Sequence, residues 1–277
     1  MLVTKRDYFR FMSYYGPRHY SNVLTNHAEP GFTIAKQPPY SGNRNPFISV
    51  SIYGTHRKYY DGLNQLIQQV SDHLPGWSVR VYCHNKVSEM YQAQLTTHQH
   101  IELFTVHDPL VVPGNSSGAF WRFMPATELG RRFVVLDIDE TITPRVLKAI
   151  QVWRESKLPY FRFNCGVQNC KYPSNFIWPE DCWCAGRWGC VGTVSIPSQY
   201  IQQFPHRTTF GADECWLKFV MSPFSKTHGL CTVYPSKTHH LLSRVHLWKP
   251  QTLPKDSVWN IPAGPHKNRD KEDVYIL

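Results

Sequence analysis

The chain has 277 residues, 42% of them hydrophobic, which is enough apolar mass for one large α/β domain and excludes disorder over most of its length. Its formal net charge of +10 calls for negatively charged partners, whether a nucleotide diphosphate, nucleic acid or an anionic membrane face. No run approaches the ~20 apolar residues that span a bilayer. Residues 1–7 also lack the apolar core of a signal peptide, so the sequence suits a soluble protein of a cytoplasmic compartment, with peripheral membrane association open and its eight cysteines reduced.

Residues 1–46 carry no clear periodicity and read as an irregular arm. Lys5, Arg6, Arg10 and Arg18 alternate there with Tyr8, Phe9, Phe11, Tyr14 and Tyr15, a pattern shared by nucleic-acid-binding arms and by plain solvated ones. Order is expected from residue 47. Residues 47–54 alternate as a strand, Leu63, Leu66, Ile67, Val70 and Leu74 recur at helical spacing up to Pro75-Gly76, and residues 78–83 form a second strand. Strand, helix, strand is the opening of a nucleotide-binding α/β sheet, and it sets Tyr53 and Arg57, on either side of the first loop, to meet the nucleotide.

A short strand at 101–104 is followed by a Pro/Gly/Ser-rich loop and a helix over 118–126. Residues 133–139 then read as a buried strand ending in Asp137 and Asp139. Strand alternation would point both carboxylates to one side, where they could share a cation or its water shell at the strand's carboxyl end. Three chemistries fit: an aspartyl phosphatase of the haloacid-dehalogenase type, a metal–diphosphate clasp of nucleotide-sugar chemistry, or a pair that caps the next helix. The phosphatase requires its nucleophile on the first strand of the domain and a later Lys and acidic pair after a buried strand. Here the pair follows two or three strands, and Asp213-Glu214 follows a stretch that makes a poor strand.

Thr143 and Pro144 are a natural N-cap and first helical residue, and Val146, Leu147, Ile150 and Trp153 give 144–156 an apolar face. Aromatics, glycines and cysteines crowd 164–192, as in loops and short strands around a pocket. Cys165, Cys170, Cys182, Cys184 and Cys190 lack the paired spacing of a zinc site. Helical patterning returns near 198–201 and after 211–214, and residues 251–277 read as a Pro- and Lys-rich tail. Asp213, in a turn that opens a helix, is a candidate general base, with its neighbour Glu214 as the alternative.

Four ordered blocks carry a resemblance that covers about residues 118–222: Trp121-Arg122-Phe123-Met124-Pro125-Ala126, Asp137-Ile138-Asp139, Cys184-Ala185-Gly186-Arg187-Trp188-Gly189 and Phe210-Gly211-Ala212-Asp213-Glu214-Cys215-Trp216-Leu217. Together they resemble GT-A-type glycosyltransferases related to polysaccharide-building enzymes. The resemblance implies a single GT-A-like domain over 47–250, a Rossmann-like mixed sheet flanked by helices, with a nucleotide-sugar half at 47–140 and an acceptor half at 141–250. It implies a nucleotide-diphosphate sugar as donor, a glycan acceptor, and Mn²⁺ or Mg²⁺ held by Asp137 and Asp139, with Arg122 close to the diphosphate. A C-terminal histidine would be a third metal ligand, His240 among the candidates His239, His240 and His246. Trp183, Trp188 and Trp216 would form a wall for sugar rings. The chain departs from the pattern after the acidic pair, with Glu140 and Thr141 in place of a Ser or Arg. The alternatives are a transferase acting on modified DNA and the phosphatase.

Overall fold

The computed structural model describes residues 31–36, 45–111, 117–163, 183, 185–191, 201, 212–217, 221–235, 242–248 and 271–274. In chain order these form β1 (Gly31–Lys36), β2 (Phe47–Ile52), α1 (Arg57–His73), β3 (Ser78–His84), α2 (Glu89–Thr97), β4 (Ile101–His107), a 3₁₀ helix (Ser117–Thr127), β5 (Arg132–Leu136), α3 (Pro144–Ser156), β6 (Tyr160–Phe163), β7 (Arg187–Val191), α4 (Ala212–Trp216), α5 (Ser222–His228), β8 (Leu230–Pro235), β9 (Leu242–Trp248) and β10 (Lys271–Val274). The strands make one mixed α/β sheet in the order β1-β4-β3-β2-β5-β7-β6-β8-β9-β10, flanked by helices.

The strand β2 is buried along its whole length because it lies inside a parallel block, between β3 and β5. From β2 the chain steps outward through β3 and β4, then returns to place β5 on the other side of β2. Strand order therefore reverses between β2 and β5. The crevice outside their carboxyl ends is where open α/β sheets take ligands.

Alternation divides the sheet's side chains between two cores. One joins Ile48, Val50, Ile52, Val134, Leu136 and Phe163 to the apolar stripes of α1 and α3. The other joins Phe47, Phe133, Val135 and Trp188 to Phe120 and Phe123 of the 3₁₀ helix, Trp216 of α4 and Phe224 of α5. Local sequence explains the helices. Val146 N–H donates to the Thr143 hydroxyl at 3.3 Å and Pro144 opens α3, while α1 is capped by His56, whose Nδ1 accepts from Lys58 N–H at 3.3 Å.

Several expectations are corrected. The arm contains β1, antiparallel to β4, and the tail contains β10, antiparallel to β9. Residues 117–127 form the expected helix, of the 3₁₀ type and with Pro125 inside it. The strands β8 and β9 had not been anticipated. No helix among the described residues is long and apolar enough to cross a membrane. Cys83, Cys190 and Cys231 are free and buried, and burial pushes their thiols up, those of Cys83 and Cys231 to about 12. They are packing groups, not nucleophiles.

The entry to β5 is fixed by an ionic cluster. Glu102 of β4, fully buried, accepts from Arg80 Nε of β3 at 2.9 Å, from Arg131 Nη1 at 2.9 Å and from the Ser78 hydroxyl at 3.1 Å. Arg80 also pairs with Glu128, and both guanidiniums lie over the Phe47 ring, at 4.1 and 4.4 Å. Burial raises the Glu102 carboxyl, but its bonds to Arg131 and Arg80 outweigh that and hold it below the usual glutamate range. A depressed carboxylate stabilises the fold above its unfolded pKa and loses that contribution as pH falls through its folded one. Glu102→Gln leaves two guanidiniums short of charge and is expected to cost about 3–5 kcal/mol at pH 7. Urea unfolding should show the gap to the parent narrowing below the ordinary glutamate range.

Candidate active site

The strand β5 stops at Leu136, one residue short of the acidic pair. Glu140 N–H donates to the Asp137 carbonyl at 3.0 Å and closes a turn, so the two aspartates are not alternate residues of a strand. This corrects the expectation that both face one way. Asp137 turns to the 3₁₀ helix, while Asp139 turns to α1, with Lys58 Nζ 3.7 Å from its Oδ2. The helix α1 comes this close because Gly62 has no side chain: a methyl there would run into the Ile138 and Asp139 backbone. Both carboxylates remain about half exposed, at 47% and 48%, and so are open to a ligand.

Behind the tip lies Arg122. Its Nη1 donates to Asp137 Oδ1 and its Nη2 to Asp213 Oδ2 at 3.1 Å, so one buried guanidinium joins two carboxylates 76 residues apart in sequence (213 minus 137). Its carbonyl accepts from the Ser49 hydroxyl at 2.8 Å, which ties the 3₁₀ helix to β2. Its Nε, away from solvent, has no hydrogen-bond partner. Asp213 is far more enclosed than Asp137, with 13% of its side chain exposed, and its Oδ1 accepts from Glu214 N–H at 3.0 Å. Burial pushes its carboxyl up against the pull of Arg122, and the charge of Asp137 adds to the rise.

Tyr53, at the end of β2, completes the wall. Its ring meets Trp121 edge to face at 5.8 Å and lies against Gly118, where any side chain would overlap it. Burial raises its phenol to about 12, with Arg122 opposing and Asp213 and Asp137 contributing. The phenol is therefore neutral at physiological pH and can donate to an anion.

Of the residues singled out in the sequence, Tyr53, Arg122, Asp137, Asp139 and Asp213 gather at the switch point. Others do not. Arg57 is exposed and pairs along its own helix with Asp61 at 3.4 Å. Glu214 lies beside the site, its backbone N–H bonded to the Asp213 carboxylate. Trp188 and Trp216 have no exposed surface, and Trp183 is nearly enclosed. Trp216 stacks on Phe123 at 5.1 Å, so these rings are core and present no face to a sugar. His239 and His240 lie outside the described residues, and His246 is buried in β9 against Trp248. Sequence reasoning passed over Lys58, Ser49 and Gly186. Gly186 sits in a quoted block, and a methyl added there would overlap the Asp137 carboxylate.

Among the described residues no three His, Cys, Asp or Glu side chains stand close enough to form a metal cage. Two half-exposed carboxylates nonetheless suit Mg²⁺ or Mn²⁺, hard cations that often take one or two carboxylates and complete their shell with water and substrate phosphates.

Among solved structures the chain is similar to the mannosyltransferase PcManGT from Pyrobaculum calidifontis, in complex with GDP-Man and Mn²⁺, at 14% identity over 89% of this chain with a TM-score of 0.43. The chain spans 65% of the length of that protein. No family model and no curated protein matches. Similarity at this level leaves the chemistry to the residues of the site.

Gly186→Ala offers a test that removes no chemical group. It is expected to displace the Asp137 carboxylate from Arg122, which should shift the Asp137 side-chain carboxyl NMR resonance and lower the melting temperature by a few degrees with the circular dichroism spectrum unchanged.

Proposed function

We propose that the protein is a glycosyltransferase that moves a sugar from a nucleotide-diphosphate donor to an acceptor hydroxyl with the help of a divalent cation. The observation that carries this reading is the Arg122 fork at the switch point, which joins an open carboxylate at the tip of β5 to an enclosed one on α4. A donor site and an acceptor base need that spacing: one carboxylate facing solvent and cation, the other sheltered and basic. The four sequence blocks that resemble GT-A-type transferases include all three residues.

Asp137 and Asp139 would hold the cation, which, when bound, supplies positive charge against the leaving diphosphate. Asp139 is the better placed of the two, since Lys58 is an exposed and flexible counter-ion, whereas Asp137 is already neutralised by Arg122. The Arg122 fork holds Asp137 in place, and its charge faces the region where a diphosphate would lie. Tyr53 donates its phenol proton to the same region. Asp213 accepts the proton of the acceptor hydroxyl. Its raised pKa makes it a stronger base than an ordinary aspartate, and its enclosure keeps competing water away.

Two measurements test this. In a thermal-shift screen, nucleoside diphosphates and nucleotide sugars should raise the melting temperature with Mn²⁺ present, because ligands that bind the native state stabilise it. Asp139→Asn should abolish the Mn²⁺-dependent part of the shift without lowering the melting temperature of the free protein. A screen with no response to any nucleotide, with or without Mn²⁺, defeats the assignment. Asp213→Asn should keep donor binding and lose transfer by a factor of about 10²–10⁴. The parent's kcat/KM should fall on the acid side at a pH above the ordinary aspartate range, as the base takes up a proton.

A further inference from the structure

On the α3 side of the same sheet edge, two guanidiniums share one aromatic ring. Arg187, the first residue of β7, lies opposite Leu136, and its guanidinium stands 5.5 Å from the centre of the Phe163 ring at the end of β6. Arg145 of α3 approaches the same ring at 5.7 Å. Arg187 is paired with Glu140, which follows the acidic tip directly. Among the described residues Arg145 has no ion pair with a carboxylate, and its Nε is shut away from solvent without a hydrogen bond.

Three electrostatic costs fall on Arg145 together. It is the second residue of a 13-residue helix, where the aligned peptide dipoles are positive, and no acidic residue stands in that first turn. A like charge shares its ring. Burial and the repulsion of Arg187 pull its pKa down, against a weaker pull upward from Glu140. Nothing in α3 requires an arginine here, since Thr143 and Pro144 already start the helix and Val146, Ile150 and Trp153 anchor it. An anion would relieve all three costs, taking the free donors of Arg145 and the remaining capacity of Arg187 at the positive end of the helix. Residues that break local rules without compensation tend to mark function.

The place in the sheet indicates which anion. The donor crevice lies outside β2 and β5, while Arg187 and Phe163 stand on the next two strands, β7 and β6, away from β2. We propose that Arg145 and Arg187 form an anion-binding subsite that takes a phosphate or carboxylate group carried by the acceptor. This deepens the transferase reading by naming the acceptor class, an anionic glycan or glycan phosphate.

The test uses inorganic phosphate and glucuronate at fixed ionic strength without Mn²⁺, and separately a nucleoside diphosphate with Mn²⁺, on the full chain by thermal shift and NMR titration. Arg145→Gln is expected to weaken phosphate and glucuronate about ten-fold while leaving the Mn²⁺–nucleoside diphosphate response intact and the free protein no less stable. Arg145→Lys, which keeps the charge without the fork, should show an intermediate loss. Loss of the nucleoside diphosphate response in Arg145→Gln would assign the subsite to the donor and overturn the acceptor assignment. Unchanged binding of both small anions would overturn the subsite itself. Asp139→Asn should leave the small-anion response as in the parent, so failure of the transferase reading and failure of the subsite are told apart.

Discussion

A positive charge taken out of water must find negative partners close by, and the site is arranged around one such charge. Arg122 is enclosed between the 3₁₀ helix and the sheet, and its two outward nitrogens go to Asp137 and Asp213. Each carboxylate by itself would be an acid at an unrelated place in the chain. The shared guanidinium sets them at a fixed separation and different depths, one half open to solvent and the other enclosed. The hydroxyl of Ser49, in the floor of β2, holds the Arg122 carbonyl, so the fork is referenced to the central strand of the parallel block.

Glycine does complementary work at this edge. Where charge sets partners, the missing side chains at Gly62, Gly118 and Gly186 let α1, the 3₁₀ helix and the start of β7 close on the Asp139 backbone, the Tyr53 ring and the Asp137 carboxylate. The tip of β5 is thus held from two sides, and Tyr53 at the end of β2 from another, by backbone that approaches closer than any larger residue allows. This is a preorganised arrangement, in which carboxylates keep their geometry before a ligand arrives.

The first half of the fold could be read in the chain because its signals are apolar and periodic: the stripe of Leu63, Leu66, Ile67 and Val70, the buried runs of β2 and β5, and the Thr143-Pro144 start of α3. The second half hides its strands behind a buried polar row. Arg162, Thr232 and His246 are neighbours across β6, β8 and β9, and Arg162 Nε donates to the Thr232 hydroxyl at 2.9 Å. Side chains of that kind, read in isolation, suggest surface. At the site, Asp137, Asp139 and Asp213 stood out as residue types, but the separate partners of the first two depended on where β5 ends, and one residue of strand reverses a side chain's direction. The tryptophans misled for a related reason: indole is suited both to sugar faces and to cores, and only packing distinguishes them.

The sheet's connectivity also bears on biosynthesis. The parallel block from β2 to β5 is complete by residue 136, whereas Asp213 lies on a helix made much later. In the order of synthesis, the first half therefore carries a guanidinium before one of its two carboxylate partners has been made. Arrival of α4 supplies the second countercharge, so docking of the later half onto the earlier one is driven in part by an ion pair as well as by apolar packing.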